Sequence, residues 1–86
     1  MEPDPTQDKP FEAPVTVEIE AAARAVGSVG EAYTMLSGTG WPGKRGPRHR
    51  DAVETCLKVF DGHRSTVDAR DRFVEAAREA GILRGS

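Results

Sequence analysis

Eighty-six residues carrying a net charge of −2 allow one small domain with a thin hydrophobic core. One cysteine excludes a disulfide within the chain, two histidines beside it make no metal-ligand spacing, and no run approaches the roughly 20 apolar residues of a transmembrane helix. The charge is uneven, with two cations against seven acids in residues 1–40 and four cations without an acid in residues 41–50, so the acidic whole argues against general nucleic-acid affinity while a local basic patch keeps anion binding open.

Residues 1–10 are rich in proline and acids and lack apolar content, so a disordered tail is expected there. They also lack the apolar run of a signal peptide, which points to a cytoplasmic protein. A single α+β domain is expected over residues 11–83, with residues 84–86 as a C-terminal tail. Val15-Thr16-Val17-Glu18-Ile19-Glu20 alternates apolar and polar side chains and is rich in β-branched residues, the pattern of a half-buried strand. Ala22 to Val26 reads as a second strand returning antiparallel, although the turn between them has no Asn-Gly or Gly-Gly. A lone two-stranded hairpin is marginal in water, so it must pack on helices or pair with another chain.

Ser28-Val29-Gly30-Glu31 is a capping box, and Val29, Ala32, Tyr33 and Leu36 follow it on one helical face. Gly38 and Gly40 end that helix. Gly46-Pro47 opens a second helix, since proline at the first position gives up an amide that has no intrahelical partner. Its apolar stripe is His49, Ala52, Val53, Cys56, Leu57 and Phe60, with Arg50, Glu54 and Lys58 spaced for pairing on the outer face. Gly62 ends it. Ser65 caps a third helix, with Asp68 three residues on, and Ala69, Phe73, Ala76, Ala77 and Ala80 form its stripe. Gly81-Ile82 reads as a left-handed cap with an apolar contact folding back. The resulting fold class is α+β: an N-terminal β-hairpin followed by three helices, the last two forming an antiparallel helical hairpin.

The connector between the first two helices holds the only tryptophan and imitates two nucleotide motifs. Gly38 to Gly43 spells G-x-G-x-x-G, and Gly38 to Lys44 spells G-x-x-x-x-G-K. A working P-loop follows a strand, opens a helix and ends in Ser or Thr. Here the preceding element is a helix, Arg45 stands at the Ser/Thr position, and Pro42 removes an amide that would cradle phosphate. The dinucleotide motif lacks its βαβ unit for the same reason. Both matches are read as coincidence in a glycine-rich connector.

Several spaced positions resemble a small bacterial family, the domain of unknown function 982. They are Phe11-x-x-Pro14-Val15-x-Val17, Val26-x-Ser28-x-x-Glu31-Ala32, Trp41-Pro42-x-Lys44-Arg45-Gly46, Ala52-x-x-x-Cys56 ahead of Gly62, and Ala69-Arg70-x-x-Phe73-x-x-Ala76-Ala77-x-x-Ala80-Gly81-Ile82. The resemblance spans Phe11 to Leu83. It implies a short cytoplasmic protein with a β-hairpin and helices, and it brings no activity, substrate or cofactor. The chain departs from the family at Glu20 to Ala23, where it has no glycine.

Among chemistry-bearing residues, Trp41 reads as a packing anchor, with a partly exposed stacking platform for a base or a binding hot spot as the alternative. Lys44, Arg45, Arg48 and Arg50 are the candidate anion or nucleic-acid site, beside a helix N-terminus. The plainer reading of these cations is a solvated surface balancing the acidic N-terminal half. His49 falls on an apolar stripe and reads as a helix-end packing residue, His63 as exposed, and Cys56 as a buried, inert thiol. No nucleophile stands with a base, and the acids and arginines of the third helix form a solvated face, so no catalytic residue, metal or cofactor is expected. The leading expectation is a non-enzymatic protein-interaction module that meets an unknown protein or a second copy of itself as a homodimer. Weak nucleic-acid or anion binding through Trp41 to Arg50 is the alternative, and no membrane contact is expected.

Overall fold

The structure, a computed structural model, describes residues 9–38, 40–42 and 45–84. Two strands, β1 (Pro10–Ile19) and β2 (Ala22–Ser28), lead into three helices, α1 (Val29–Ser37), α2 (Pro47–Phe60) and α3 (Thr66–Ala80), and a two-residue strand β3 (Leu83–Arg84) closes the chain. The expected α+β order with its N-terminal hairpin is present. The expected tail at residues 1–10 lies outside the described residues up to Asp8, and Pro10 already belongs to β1.

The sheet is antiparallel with strand order β2-β1-β3. Val15, Val17 and Ile19 of β1 point toward the helices, while Thr16 and Glu18 occupy the other face, as the period of two requires. The strand is longer than its alternation suggests. Lys9 carbonyl accepts from Val29 N–H at 2.8 Å and Pro10 pairs with Ser28. Between these contacts and the Val15–Val26 pair, Phe11 to Pro14 stand against Gly27 alone, a wide bulge that drops the Phe11 ring into the core.

Residues Glu20 and Ala21 form the hairpin turn with φ of 54° and 65°. Positive φ at both central residues is the geometry that matches the right-handed twist of two strands, which is why the hairpin closes without glycine and at a steric cost.

Each helix begins and ends as its sequence directs. Ser28 Oγ accepts from Glu31 N–H at 3.1 Å, and Ser65 Oγ from Asp68 N–H at 3.2 Å. Helices α2 and α3 both end in Schellman motifs at glycines with φ of 82° and 76°: His63 N–H reaches Lys58 carbonyl at 2.8 Å and Ile82 N–H reaches Ala77 carbonyl at 2.9 Å. The second motif has a tertiary consequence. It aims the chain back across β1, where Glu18 N–H donates to Ile82 carbonyl at 2.8 Å, and β3 follows.

Helices α1 and α3 pack on the sheet, and α2 packs on both of them. The core joins Val15, Val17 and Val26 to Val29 and Leu36 of α1, Ala52, Cys56 and Val59 of α2, and Phe73 of α3. The small stripe Ala69, Ala76 and Ala77 is fully buried and lets α2 approach α3 closely. The buried face of α2 is rotated from the expected stripe. Thr55 and Val59 face inward and Leu57 is 44% exposed, because α2 is clamped between two helices rather than laid on one. Thr55 stays satisfied by donating its hydroxyl to Asp51 carbonyl at 2.8 Å. Gly46 stands close to the Glu79 carboxylate, whose Oε2 would lie 2.8 Å from a Cβ there, so a side chain at this position would push the Glu79 carboxylate aside.

Candidate functional site

The basic connector is used to close α1 onto α2. Trp41 is 5% exposed, with its ring centroid 5.6 Å from that of His49 and 5.9 Å from that of Phe73. His49 Nε2 lies 2.7 Å from Leu36 carbonyl, so Nε2–H donates to one of the orphan carbonyls at the C-terminus of α1. Arg45 reaches the same carbonyl at 3.5 Å and also donates to Gly38 carbonyl. A cation at a helix C-terminus satisfies these acceptors and complements the dipole.

Among the described residues, the candidate anion residues therefore do not converge. Trp41 is in the core and Arg45 is engaged with α1. Arg48 and Arg50 are exposed on the first turn of α2 and have no ion pair among the described residues, and Arg48 also borders a second depression with Arg70 and Arg72. Lys44 lies outside the described residues, as do Thr39 and Gly43 of the nucleotide-like motifs. Among the described residues no group of His, Cys, Asp and Glu has the spacing of a metal site. Burial pushes the Cys56 thiol up to about 12, so it is protonated and shielded at neutral pH.

A different feature is built by the sheet. Counting from the two-residue turn, Ala22, Arg24 and Val26 direct their N–H and C=O groups at β1, and Ala23, Ala25 and Gly27 direct theirs away from it. Two hydrogen bonds agree with this phase: Gly27 N–H meets Glu31 Oε1 at 3.1 Å, and Glu18 N–H points across to Ile82. Ala22 to Ala25 are all exposed, and among the described residues the outward amides of Ala23 and Ala25 have no partner.

The opposite edge is protected. There β3 is two residues long, Pro10 and Pro14 interrupt β1, the bulge turns the strand, and Arg70 Nε donates to Ala13 carbonyl at 2.8 Å. Arg84 and Glu18 form an ion pair at 2.6 Å across it. Short strands, prolines, bulges and charges are how sheets blunt an edge. Strand β2 has seven residues, no proline and one charge, Arg24.

On the helix side of the hairpin tip lies an open groove of about 730 Å³. Ile19, Ala22 and Arg24 form its roof, and Gly30, Glu31 and Met35 of α1 form its floor. Ile19 and Met35 are apolar and only partly covered. None of Ala23, Ala25, Arg24 or Glu31 stood out as functional in the sequence. The available signal was the run Ala21 to Ala25, interrupted by a single charge, in a segment patterned as a strand.

The sheet, its three helices and its uneven edges define a small α+β protein. Residues 13–84 match the model of the family described as protein of unknown function (DUF982), and the chain belongs to that family. No curated protein and no solved structure matches the chain.

Proposed function

We propose that this protein is a non-enzymatic interaction module that binds by strand addition along β2. The observation that carries this reading is the contrast between the two edges of one sheet, one blunted by several devices and the other left open at Ala23 and Ala25. An added strand accepts from and donates to these two backbone positions, and its alternate side chains enter the groove between Ile19 and Met35. The partly covered apolar groove beside an open edge supplies both the main-chain and the side-chain half of such recognition.

The basic segment supports nucleic-acid binding less well. With Trp41 packed and Arg45 bound to α1, the candidates that stand exposed among the described residues are Arg48 and Arg50, and two phosphate contacts give only weak, salt-sensitive binding.

The test is a selection of linear peptides on the wild-type protein with counter-selection on Ala25→Pro. Proline at an outward position of an edge strand removes the open amide and leaves the β1 ladder intact. Selected peptides should shift the Ala23 and Ala25 amide resonances and lose binding to the variant. Peptides that bind both proteins equally, or that shift only the Trp41 to Arg50 region, refute strand addition.

A further inference from the structure

Building on the strand-addition reading, we infer that the strand added to β2 is β2 of a second copy, antiparallel and centred on Ala25. Strand β2 runs from Ala22 to Ser28, and Ala25 is its midpoint. Full antiparallel overlap of two such strands therefore places Ala25 opposite Ala25 of the second copy. Ala25 is an outward-facing position, so this central pair exchanges two N–H···O bonds across the twofold axis. Ala23 then meets Gly27 of the second copy. The result is one six-stranded sheet in the order β3-β1-β2-β2-β1-β3.

Charge selects this register over its neighbour. Sliding the strands so that Ala23 meets Ala25 sets Arg24 directly against Arg24 of the second copy, in the pair type whose side chains are closest, and that is repulsive. Centring on Ala25 sets Arg24 against Val26 and beside Gly27 of the second copy. The Gly27 amide is held by Glu31 Oε1 within each chain, so the Arg24 of one copy arrives next to the Glu31 of the other. Both side chains border the same groove, yet Arg24 makes no ion pair within its own chain among the described residues. In the pair, Ala23 carbonyl of one copy takes the Gly27 N–H of the other, and the freed Glu31 carboxylate turns to Arg24. The interaction occurs twice by symmetry.

The remaining side chains fit close approach. Ala23 and Ala25 share the uncovered face with Thr16 and Glu18 and carry nothing longer than a methyl group across the dyad. The groove holding Ile19 and Met35 opens beside the same edge, at the hairpin-tip end of β2, where this register brings Ser28 of the second copy opposite Ala22.

Sedimentation equilibrium of the full chain, combined with cysteine cross-linking, tests the inference. A reversible dimer is expected. Ala25→Cys should give a disulfide-linked dimer under mild oxidation well ahead of Ala23→Cys, because only position 25 meets itself; the buried Cys56 leaves the wild type uncross-linked as control. Ala25→Pro should be monomeric with an unchanged far-ultraviolet spectrum. Should that variant fail to fold, Arg24→Glu at an exposed position should raise the dimer Kd at least tenfold by placing a second acid beside Glu31. A monomer at millimolar concentration overturns self-pairing, as does faster cross-linking at position 23 or an unaltered dimer in the Arg24→Glu variant. If the chain is monomeric while selected peptides still require the Ala25 amide, self-pairing alone falls; if those peptides also ignore Ala25→Pro, strand addition falls with it.

Discussion

The hairpin turn should be a correctable strain. Glu20 and Ala21 both hold positive φ, at 54° and 65°. An L-residue in this region loses about 1–2 kcal/mol to contact between Cβ and the backbone. Asparagine tolerates the region better, and glycine escapes the penalty while losing about 0.4–1 kcal/mol through the greater freedom of its unfolded chain. Glu20→Asn with Ala21→Gly should therefore stabilise the fold by about 1–2 kcal/mol, and a domain of this size gains about 4–8 °C in Tm per kcal/mol. Urea unfolding and thermal melts followed by circular dichroism provide the measurement. They should be made at one protein concentration, because association adds stability by mass action. An unchanged or lower midpoint in the double variant would refute the left-handed turn and the hairpin phase counted from it.

Other substitutions probe the scaffold around the site. His49→Leu keeps the ring's approximate bulk but removes the donor to Leu36 carbonyl, and should cost about 1–2 kcal/mol in urea unfolding; wild-type stability would dissolve the clasp between α1 and α2. Gly81→Ala places a side chain at φ 76° and should cost about 1–2 kcal/mol while speeding exchange of the Glu18 amide, whose acceptor is Ile82 carbonyl; unaltered exchange would separate β3 from the helix cap. Cys56 ionises near 9.0 when exposed but only near 12 when buried, so between these values the unfolded chain releases a proton that the folded chain keeps. Stability should fall as pH rises through that window by up to about 1.4 kcal/mol per pH unit, and Cys56→Ala should remove that part of the slope; equal slopes would place the thiol in contact with water.

What was legible in the sequence is local. Ser28 with Glu31, Pro47, Ser65, Gly62 and Gly81 announce helix ends through their own backbone chemistry, and each stands at the end it announces, although Glu31 closes its half of the capping box on the Gly27 amide rather than on that of Ser28. Strand β3 has two residues and no periodicity, and it exists only because the Schellman turn at Gly81 returns the chain over β1. The bulge at Phe11 to Pro14 breaks the alternation that marks a strand, so the first half of β1 is silent for the same reason that it is structurally protected. On α2, periodicity fixed the helix but not its rotation, since Val59 and Leu57 are equivalent as hydrophobes and only the position of α3 decides between them. The basic connector drew attention through composition, whereas its tryptophan packs inward against Phe73 and its Arg45 is held by α1. The open edge was invisible for the opposite reason. Alanine carries no chemical signal, and being an edge is a property of strand order, which no single segment contains.

The uneven treatment of the two edges bears on why a small chain of this kind would associate. A folded part of about 75 residues gathers a core worth only roughly 3–5 kcal/mol without staples, and oligomerisation is a common supplement. Continuing the sheet through β2 would add main-chain bonds at Ala23 and Ala25, beside a groove in which the helices of a single copy leave Ile19 and Met35 partly bare. A strict monomer would have reason to blunt β2 as the other edge is blunted. The chain has the means, with Pro10, Pro14, a bulge and a contact from the Arg70 guanidinium all placed on β1. Beside their absence from β2 stands Arg24, a charge that would repel its own copy in one register and would meet Glu31 in the next. The same side chain that would discourage indiscriminate strand pairing would thus favour the register centred on Ala25 over the neighbouring one.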